Sequence, residues 1–430
     1  MAKEKEVRPR SIIRRMISYL IRNVLQITLR VVESLFALPL VYLKCYWIGR
    51  YGEKKIDIGL GPEPLINNIY HKKALLAQGY TVETFVNEVY HITSDFDYRA
   101  DKAYEQMGWL GKYFSKYSFF LRTVSTYSGI YIYFNGGPFY GDERLRKHEP
   151  RLFKLSRTKV VVMPYGGDVS ILKDFRNLPY KHALDSDYPE FYKHMPSVEE
   201  QVRRWTIHAN HVISGCDWVD FTYHWDTLTL AHFSIDIAKF SPYRKNLEFY
   251  RREYTLDNPL KILHAPNHKA TKGSSFFIKA VEELKSEGYP VELVLLQGKP
   301  NTEVLEAMSK VDVVADQLIV GWYAMFSMEA MSMGKPVICY LRKDLIELYL
   351  SSGNLASLEE LPHINSHFLE VKQNLLGILK GDISLEERSV KGIKFVEKYH
   401  SLEYIGKVFH KVNSSINIQP SNRKGLSVPL

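Results

Sequence analysis

Residues 311–341, VDVVADQLIVGWYAMFSMEAMSMGKPVICYL, restrict the possible folds more than any other part of the chain. The β-branched run at 311–314 predicts a buried strand, and residues 324–333 are mostly good helix formers. Gly334 stands where a helix end favours a left-handed residue, and Pro336 prevents the helix from continuing. VICYL predicts the next strand. This order of elements is typical of an α/β domain with a parallel sheet.

Glu329 is the only charged residue between Asp316 and Lys335, and the predicted helix around it is otherwise apolar or small. A carboxylate that is buried on most sides is costly unless it is hydrogen-bonded. A ligand with two adjacent hydroxyls, such as a ribose, would satisfy it. A core arginine or backbone amides would also do so, and the residues alone leave both readings open.

The segment Glu-Ala-Met-x-x-Gly-Lys-Pro-Val that begins at Glu329 resembles the second half of the E-x7-E donor motif of retaining GT-B glycosyltransferases, a large family that builds surface glycans. The resemblance implies that Glu329 holds the ribose of a nucleotide sugar. The first glutamate of the motif, which touches the donor sugar in that family, falls at Gly321. The donor-binding residues implied in this way are Glu329, Lys269, Gly273, Asn267, His268, Gly321 and Tyr323.

A possible phosphate site precedes this stretch. LKILHAP (260–266) predicts a strand, and FFIKAVEELKSEG predicts a helix that Ser274 or Ser275 is expected to cap. Lys272 and Gly273 therefore stand beside a helix N-terminus, where free N–H groups and the helix dipole favour a diphosphate. In the resembled family, basic residues of this loop hold the donor phosphates. The usual arginine is Asn267 here, and Lys269 is the expected substitute.

The first half of the chain predicts a second α/β unit. KKIDIGLGPEPL, TVETFV, IYIYFNGG (130–137) and KVVVMPYGGD (159–168) predict strands, and the last two end in paired glycines. Ligands bind at the carboxyl edge of such sheets. Tyr165 and Asp168 stand where the resembled family often has His-Gly-x-Asp, which implies that both line the sugar side of the cleft. Alternatively, Asp168 only caps a helix near Val169.

The composition excludes several classes of protein. Of the formal net charge of +9, the first 50 residues carry +7, so the rest is nearly neutral and a nucleic-acid-binding surface is not expected. Three scattered cysteines indicate a reducing compartment without a disulfide framework. A metal site would have to use His208, His211, His224, Asp217 and Asp220, which lack a tight ligand spacing. We therefore expect neither a metal nor another cofactor.

The basic N-terminal arm has a helical pattern. Apolar residues recur at helical spacing from Ile12 to Leu25, with basic and polar residues between them. This pattern predicts an amphipathic helix in a membrane interface, with Tyr42, Tyr46 and Trp47 as anchors. The membrane-binding residues expected from it are Arg14, Arg15, Arg22, Ile17, Leu20 and Ile21. Because the longest uncharged run, residues 34–43, is too short to span a bilayer, we expect no transmembrane helix. A helix docked on the protein itself is the alternative.

Together these observations predict an α/β protein of the GT-B type, with two Rossmann-like domains facing a cleft. The expected divisions are an arm at 1–50, an acceptor domain at 51–240, a donor domain at 241–385, a closing helix at 386–412 that crosses back, and a mobile polar tail at 413–430. The resemblance implies retaining transfer from a nucleotide sugar to a lipid-linked or surface glycan, with Asp168, Tyr165 and Lys272 as catalytic residues. The expected location is the cytoplasmic face of a membrane, with peripheral attachment.

Two other functions stay open. Since Gly321 and Tyr165 depart from the family near the sugar, the chain could be a non-catalytic, nucleotide- or sugar-binding partner of another transferase. It could also be a GT-B-fold epimerase, for which Asp168, His224 and Asp217 are the available acid/base residues. A Rossmann dehydrogenase is disfavoured, because the glycine-rich dinucleotide fingerprint is incomplete.

Overall fold

The computed structural model describes residues 19, 23–89 and 94–421, which form two parallel β-sheets with helices packed on them. The first sheet has seven strands in the order β3-β2-β1-β4-β5-β6-β7. Its strands are β1 (Ile56–Leu60), β2 (Val82–Val86), β3 (Tyr98–Arg99), β4 (Tyr127–Tyr133), β5 (Lys159–Met163), β6 (His211–Gly215) and β7 (Thr227–Thr229).

The second sheet has five strands in the order β12-β11-β10-β8-β9. They are β8 (Leu260–His264), β9 (Val291–Leu295), β10 (Val313–Ala315), β11 (Val337–Cys339) and β12 (Ile364–Asn365). Every strand pair in both sheets is parallel, so the carboxyl ends of the strands in each sheet share one edge. Parallel sheets of this kind are covered by helices on both faces.

The helices alternate with the strands. In the first half they are α1 (Asn23–Tyr51), α2 (Asn67–Ala77), α3 (Ala100–Ala103), α4 (Trp109–Thr126), α5 (Glu149–Ser156), α6 (Leu178–Asp187), α7 (Met195–His208) and α8 (Ile237–Phe240). In the second half they are α9 (Lys269–Lys272), α10 (Ser274–Ser286), α11 (Asn301–Lys310), α12 (Met325–Ser332), α13 (Lys343–Ser351), α14 (Val371–Lys380), α15 (Leu385–Tyr399) and α16 (Leu402–Ser415).

Strand β4 shows why the tyrosine-rich sequence belongs in the core. Ile130 and Ile132 point into the larger core cluster, and Tyr131 and Tyr133 point into another on the opposite face. All four side chains are fully buried. The hydroxyl of Tyr131 donates to Asn413 Oδ1 at 2.9 Å, which satisfies a polar group that would otherwise be costly in the core.

The C-terminal segment differs from its prediction in two ways. Two helices, α15 and α16, replace the single closing helix, and α16 packs against α2 of the first sheet. The tail is not mobile up to residue 421, because Ile418 is buried beneath Gly129 and Ser421 donates its backbone N–H to Asp57 at 3.0 Å. Residues 422–430 lie outside the described residues.

Helix α1 lies along the first sheet's helical layer, in contact with α4 and α5. It includes a π-helical turn at Glu33–Ala37. This helix of 29 residues contains an 18-residue window with a mean hydropathy of 1.7, so it is long and apolar enough to cross a membrane, although the uncharged run in the sequence is short. The predicted membrane-binding residues Arg14, Arg15, Arg22, Ile17, Leu20 and Ile21 all lie outside the described part of the chain.

Candidate functional site

Glu329 lies on α12 where the two halves of the molecule meet. Asn301 at the start of α11 stabilises its charged form, and Lys239 and Tyr70 interact with it electrostatically from the first half of the chain. Only 7% of the residue is exposed, and this burial raises the pKa of Glu329 to about 7. Among the described residues, no cation lies within 4 Å of its carboxylate. The core-arginine reading therefore has no support, and acceptor capacity remains for hydroxyl groups of a ligand.

The N-terminus of α10 forms the second part of the site. Gly273 precedes it in the left-handed conformation (φ +74°) and packs against Leu318 and Ile319. The predicted serine cap is wrong, because no side chain caps this helix and Ser274 is instead bonded to His264 Nε2 at 2.9 Å. The first N–H groups of α10 are therefore not used by a serine cap, as an anion site requires.

Lys272 stands immediately before this helix and is already partnered. Its Nζ donates to Asp316 Oδ1 at 2.7 Å and to Gln317 Oε1 at 2.8 Å. Asp316 also accepts a hydrogen bond from Ser327 at 2.5 Å. The ammonium is thus fixed beside α10 by the loop after β10, and a diphosphate bound there would share Lys272 with Asp316.

Helix α9 and the residue that precedes it contact the first half of the chain. Asp187, the last residue of α6, accepts hydrogen bonds from Thr271 N at 2.8 Å, Thr271 Oγ1 at 2.6 Å and Ala270 N at 3.2 Å. His268 Nε2 lies 2.7 Å from the hydroxyl of Tyr188. Sequence reasoning missed Asp187, since nothing in its spacing indicates that it meets a loop 84 residues away.

The predicted donor residues on this loop remain at its surface. Asn267, His268 and Lys269 are all exposed, and they lie next to the segment that Asp187 holds. A flexible lysine here can approach a phosphate without leaving a buried partner behind.

Gly321, at the place of the motif's first glutamate, makes room for an arginine. Its φ is +99°, and a Cβ there would lie 2.5 Å from Cγ and Cδ of Arg342. Arg342 in turn donates to Asp220 at 2.6 Å and to Asp344 at 2.5 Å. The position predicted to bind the sugar is thus occupied by an ion pair between the two halves, and Arg342 is a residue that sequence reasoning missed.

Tyr323 does not face a ligand. Only 1% of it is exposed, its hydroxyl lies 2.8 Å from His400 Nε2, and its ring stacks on His363 at 4.8 Å between centroids. The placement argues against the predicted donor contact, because every polar atom of the side chain is used inside the core.

Asp168 also differs from its prediction. It is 2% exposed, and its carboxylate accepts backbone N–H bonds from Tyr165 at 3.0 Å, Gly166 at 2.9 Å and Phe134 at 3.0 Å. No helix follows it before Leu178, so it is not a helix cap either. Burial raises the pKa of Asp168 to about 7 although the three N–H groups lower it. Asp168 therefore organises the loops after β4 and β5, and three of the about four acceptor positions of its carboxylate are used by the protein itself.

Three polar side chains close to Asp168 remain as candidates on this edge. Asn135 Nδ2 donates to the hydroxyl of Tyr165 at 2.9 Å and to Glu63 Oε1 at 2.7 Å. Burial raises the pKa of Glu63, which follows β1. Sequence reasoning identified Tyr165 but missed Glu63 and Asn135, although each follows a predicted strand at the edge where ligands bind.

The arrangement of the described residues supports neither a metal site nor an epimerase function. Within the described ranges, no group of three or more His, Cys, Asp or Glu residues is arranged to hold a metal ion. His224 is exposed and pairs with Asp226 at 3.2 Å, and Asp217 is buried, with its pKa raised to about 7 by that burial. Among the described residues, no hydrogen bond or ion pair joins His224, Asp217 and Asp168 to one another.

A cavity of about 620 Å³ lies between the two halves, lined by Asn177, Leu318, Ile319 and Arg342 among others. Leu318 and Ile319 are also the residues that contact Gly273, so the cavity adjoins the N-terminus of α10. Its volume falls within the range of about 300–1,000 Å³ that is common for ligand sites.

The fold matches solved structures, although the sequence matches no protein-family model and no curated protein. One is Alr3699/HepE of Anabaena in complex with UDP-glucose, with a TM-score of 0.51 and 11% identity over 84% of this chain and 100% of that chain. Another is an alpha-glucosyltransferase in complex with UDP and a 13-mer DNA, with a TM-score of 0.53 and 15% identity over the same shares. The chain has the GT-B glycosyltransferase fold.

In this GT-B fold the two domains meet along a seam, which we define by three contacts: Asp187 with Thr271, Asn177 with Ile319, and Asp220 with Arg342. The Asn177 amide donates to the carbonyl of Ile319 at 2.7 Å. Glu329, Lys272 and the start of α10 belong to the second domain, and Tyr165, Asn135 and Glu63 to the first.

Proposed function

We propose that this protein transfers a sugar from a uridine diphosphate sugar to a glycan acceptor, with retention at the anomeric carbon. The observation that carries the proposal is Glu329, a buried carboxylate without a paired cation, in the same GT-B domain as a helix N-terminus flanked by Lys272. The UDP and UDP-glucose in the solved structures of similar fold support uridine as the base.

Each group has a defined part in this proposal. The carboxylate of Glu329 accepts hydrogen bonds from the ribose hydroxyls, which supplies the partners that the protein does not. The N–H groups of α10 and the ammonium of Lys272 stabilise the negative charge that develops on the departing diphosphate. Lys269 adds charge at the rim, so that no metal is required. Tyr165 and Asn135 face the sugar side in place of Asp168.

We also propose that the enzyme works on a lipid-linked or surface glycan at the cytoplasmic face of a membrane. Helix α1 presents exposed apolar side chains along its outer face: Val24, Ile27, Val31, Leu35, Phe36, Leu40, Leu43, Tyr46 and Trp47. Of the predicted anchors, only Tyr42 turns inward, where its hydroxyl lies 3.0 Å from His148 Nδ1. A helix with one apolar face suits attachment to a bilayer surface.

The contacts of the inner face of α1 favour a helix that lies on the membrane surface over one that spans the bilayer. Glu33 is buried between Lys116 at 2.6 Å and Arg144 at 2.7 Å. Cys45 is fully buried, and a Cβ at Gly49 would lie 2.0 Å from the carbonyl oxygen of Leu155. A spanning helix would have to leave these contacts and place the charge of Glu33 in lipid, which is costly.

The donor site is tested by calorimetric titration with UDP-glucose, UDP, GDP, ADP and CMP. The variants are Glu329→Gln and Lys272→Met, and the matched controls are Glu282→Gln and Lys279→Met on the outer part of α10. We expect binding of uridine nucleotides that both site variants weaken and both controls keep. Failure of every nucleotide to bind folded protein would refute the donor site.

Membrane attachment is tested by flotation with vesicles of phosphatidylcholine and about 30 mol% phosphatidylglycerol. Leu35→Glu with Leu43→Glu should abolish flotation, whereas Leu256→Glu, at a leucine of the second domain that is more exposed than either, should not. Wild-type protein that stays with the soluble fraction would contradict the attachment.

A non-catalytic partner of another transferase is the second candidate, and one observation favours it. Arg342 fills the space at Gly321 where a sugar-binding glutamate would stand, and Asp220 holds it there. Turnover separates the two functions, since such a partner binds nucleotide but transfers nothing. Transfer of radiolabelled sugar from UDP-sugars to membrane lipids or glycans, followed by NMR of the anomeric proton of the product, tests transfer and retention together.

A further inference from the structure

A second cavity, of about 410 Å³, lies in the second domain, where the loop after β11 meets α13, α14 and α15. Its volume falls within the range of about 300–1,000 Å³ that is common for ligand sites. It is lined by Ile346, His363, Asn365, Asn374, Arg388 and Lys391 among others. Of the described residues assigned above to the donor or to the sugar side, none lines this cavity, so it is a separate site.

Helix α15 contributes both to this cavity and to the support of the donor site. One of its faces packs on α12, the helix that carries Glu329, because a Cβ at Gly392 would lie only 3.2 Å from Cγ of Met331. Arg388 and Lys391 of the same helix line the cavity. A ligand in the cavity would therefore contact α15 beside the face that meets the donor domain's key helix.

Arg388 is a cation without an acidic partner. Its side chain is half-buried, and Nη1 donates to the carbonyl of His363 at 3.5 Å. In the described part of the chain, no carboxylate lies within 4 Å of its guanidinium. A guanidinium matches the oxygens of a carboxylate or a phosphate in two parallel hydrogen bonds. Arg388 therefore offers this pairing to an anionic group in the cavity.

The other charges in the wall compensate one another. Lys391 is bonded to Glu387 of α15 at 2.7 Å. Glu359, an acid that lines the cavity, is exposed, and its pKa is lowered by a hydrogen bond with Ser357 and by the charge of Lys391. The uncompensated positive charge of the wall is thus that of Arg388.

His363 also lacks a partner. It is 3% exposed, and no described group is hydrogen-bonded to either of its ring nitrogens. Its ring stacks on Tyr323 at 4.8 Å between centroids and meets the ring of Phe395 edge-on at 5.9 Å. Because burial lowers the pKa of His363 to about 3, the ring is neutral, with one N–H donor and one acceptor. Since buried polar groups are normally hydrogen-bonded, a polar ligand group at this wall would supply a partner.

The rest of the wall is mainly aliphatic. It consists of the side chains of Leu341, Ile346, Leu358, Leu361, Ile364 and Ile383. Leu358 is 55% exposed and Ile383 is half-buried, whereas the other four are buried. Burying apolar surface against such a wall is favourable, so it suits a ligand with an apolar body.

We propose that this cavity is a second ligand site, which binds a small amphipathic anion with its head at Arg388 and His363 and its aliphatic body against the leucines and isoleucines. Carboxylates and phosphates share the chemistry of such a head. The site uses no part of the nucleotide sugar, and the inference does not depend on the proposed function.

The ligand class is tested by calorimetric titration of the full-length protein with octanoate and octyl phosphate. Inorganic phosphate and 1-octanol serve as the separate head and body. We expect at least one of the two amphipathic anions to bind with a Kd below about 1 mM, and at least about tenfold more tightly than either separate part. The tighter of the two identifies the head group. Equal or absent binding of all four probes overturns the proposal.

The position of the head is tested with Arg388→Gln. Its matched control is Lys394→Gln, an exposed cation on the same helix that does not line the cavity. We expect the anion that binds the wild type to bind Arg388→Gln at least about tenfold more weakly and the control unchanged. Because binding to the exposed apolar face of α1 would not involve Arg388, equal affinities of the two variants would overturn the assignment.

A filling variant makes the test independent of charge. Asn374→Trp places a large ring at a half-buried position of the wall, and Gln373→Trp places the same ring at the exposed neighbouring position of α14. We expect the first to abolish binding of the anion and the second to retain it, with urea midpoints confirming that both are folded. Wild-type affinity in Asn374→Trp contradicts the site. Since these titrations contain no nucleotide, a failure of the proposed function would leave their result unchanged.

Discussion

Asp168 in the first domain and Glu329 in the second are carboxylates of nearly equal burial, and burial raises the pKa of each to about 7. Their surroundings differ. Three backbone N–H groups donate to Asp168, whereas the side chain of Asn301 is the neighbour that stabilises the charged form of Glu329. Burial alone therefore does not identify a ligand-binding carboxylate. A ligand-binding carboxylate is identified instead by how few hydrogen-bond donors the protein itself supplies to it.

The largest expected effect is on the stability of the first domain. Asp168→Ala would leave the N–H groups of Tyr165, Gly166 and Phe134 without their acceptor, and each unsatisfied buried group costs about 1–3 kcal/mol. We expect the free energy of unfolding in urea to fall by roughly 3–5 kcal/mol, after some recovery by water. Glu329→Ala should change it by less than about 1 kcal/mol, because little hydrogen bonding is lost there.

Equal losses of stability in Asp168→Ala and Glu329→Ala would contradict this difference, because both carboxylates would then stabilise the folded protein to the same extent. Asp168→Asn provides a graded control. Its amide keeps one acceptor oxygen, so its loss should fall between those of the wild type and Asp168→Ala.

The next largest effect is on donor affinity. Glu329→Gln replaces a charged acceptor of ribose hydroxyls, and hydrogen bonds to charged groups contribute about 1.5–3 kcal/mol. We expect UDP-glucose to bind about 10- to 150-fold more weakly in calorimetry, with an unchanged urea midpoint. Glu282→Gln, on the surface of α10, should bind as the wild type does. Unaltered affinity in Glu329→Gln would show that this carboxylate does not meet the ligand.

The pH dependence of donor binding follows from the same residue. Since burial raises the pKa of Glu329 to about 7, the free protein holds this group mostly protonated in mild acid. If the ribose hydroxyls need the carboxylate, affinity rises with pH and levels off above about 7, with a slope of up to about tenfold per pH unit below it. UDP-glucose suits the titration, because its diphosphate keeps its charge over this range. In Glu329→Gln the slope should disappear.

The strands, the helix that carries Glu329 and the start of α10 could be predicted from the sequence, because they depend on local signals. β-Branched runs predicted the strands, and the isolated charge of Glu329 in an apolar helix marked a buried carboxylate that has no paired cation within the described part of the chain. The start of α10 beside Lys272 and Gly273 was also predicted, although the serine cap expected there is wrong. Each signal involves residues within a few positions of one another.

What could not be predicted depends on contacts between distant segments. Arg342 meets Asp220 across 122 positions, and Tyr323 meets His400 across 77. No spacing rule connects such residues, so Gly321 was predicted to lie beside a sugar although an arginine stem fills its space. The tail was expected to be mobile because it is polar, but Ile416 and Ile418 anchor it in the core.

The smallest expected effect is at Asp187. This third carboxylate shares features with both Asp168 and Glu329. Like Asp168 it accepts three hydrogen bonds, but it lies at the seam and is only partly buried. Burial alone would raise the pKa of Asp187. The hydrogen bonds from Thr271 and Ala270 outweigh burial and hold this pKa below its usual value. Its stabilising contribution is therefore present at neutral pH and is lost as the pH falls through the acid range, below the ordinary pKa of an aspartate near 4.

We expect Asp187→Asn to lower the free energy of unfolding by about 1 kcal/mol at neutral pH, because a neutral amide replaces a charged acceptor that solvent already screens in part. The difference from wild type should shrink in acid, where Asp187 itself becomes neutral, and urea titrations at two pH values measure it. A loss as large as that of Asp168→Ala would mean that the seam is as rigid as the core. The loop that presents Lys269 and Lys272 to a diphosphate would then be fixed by the first domain before any donor arrives.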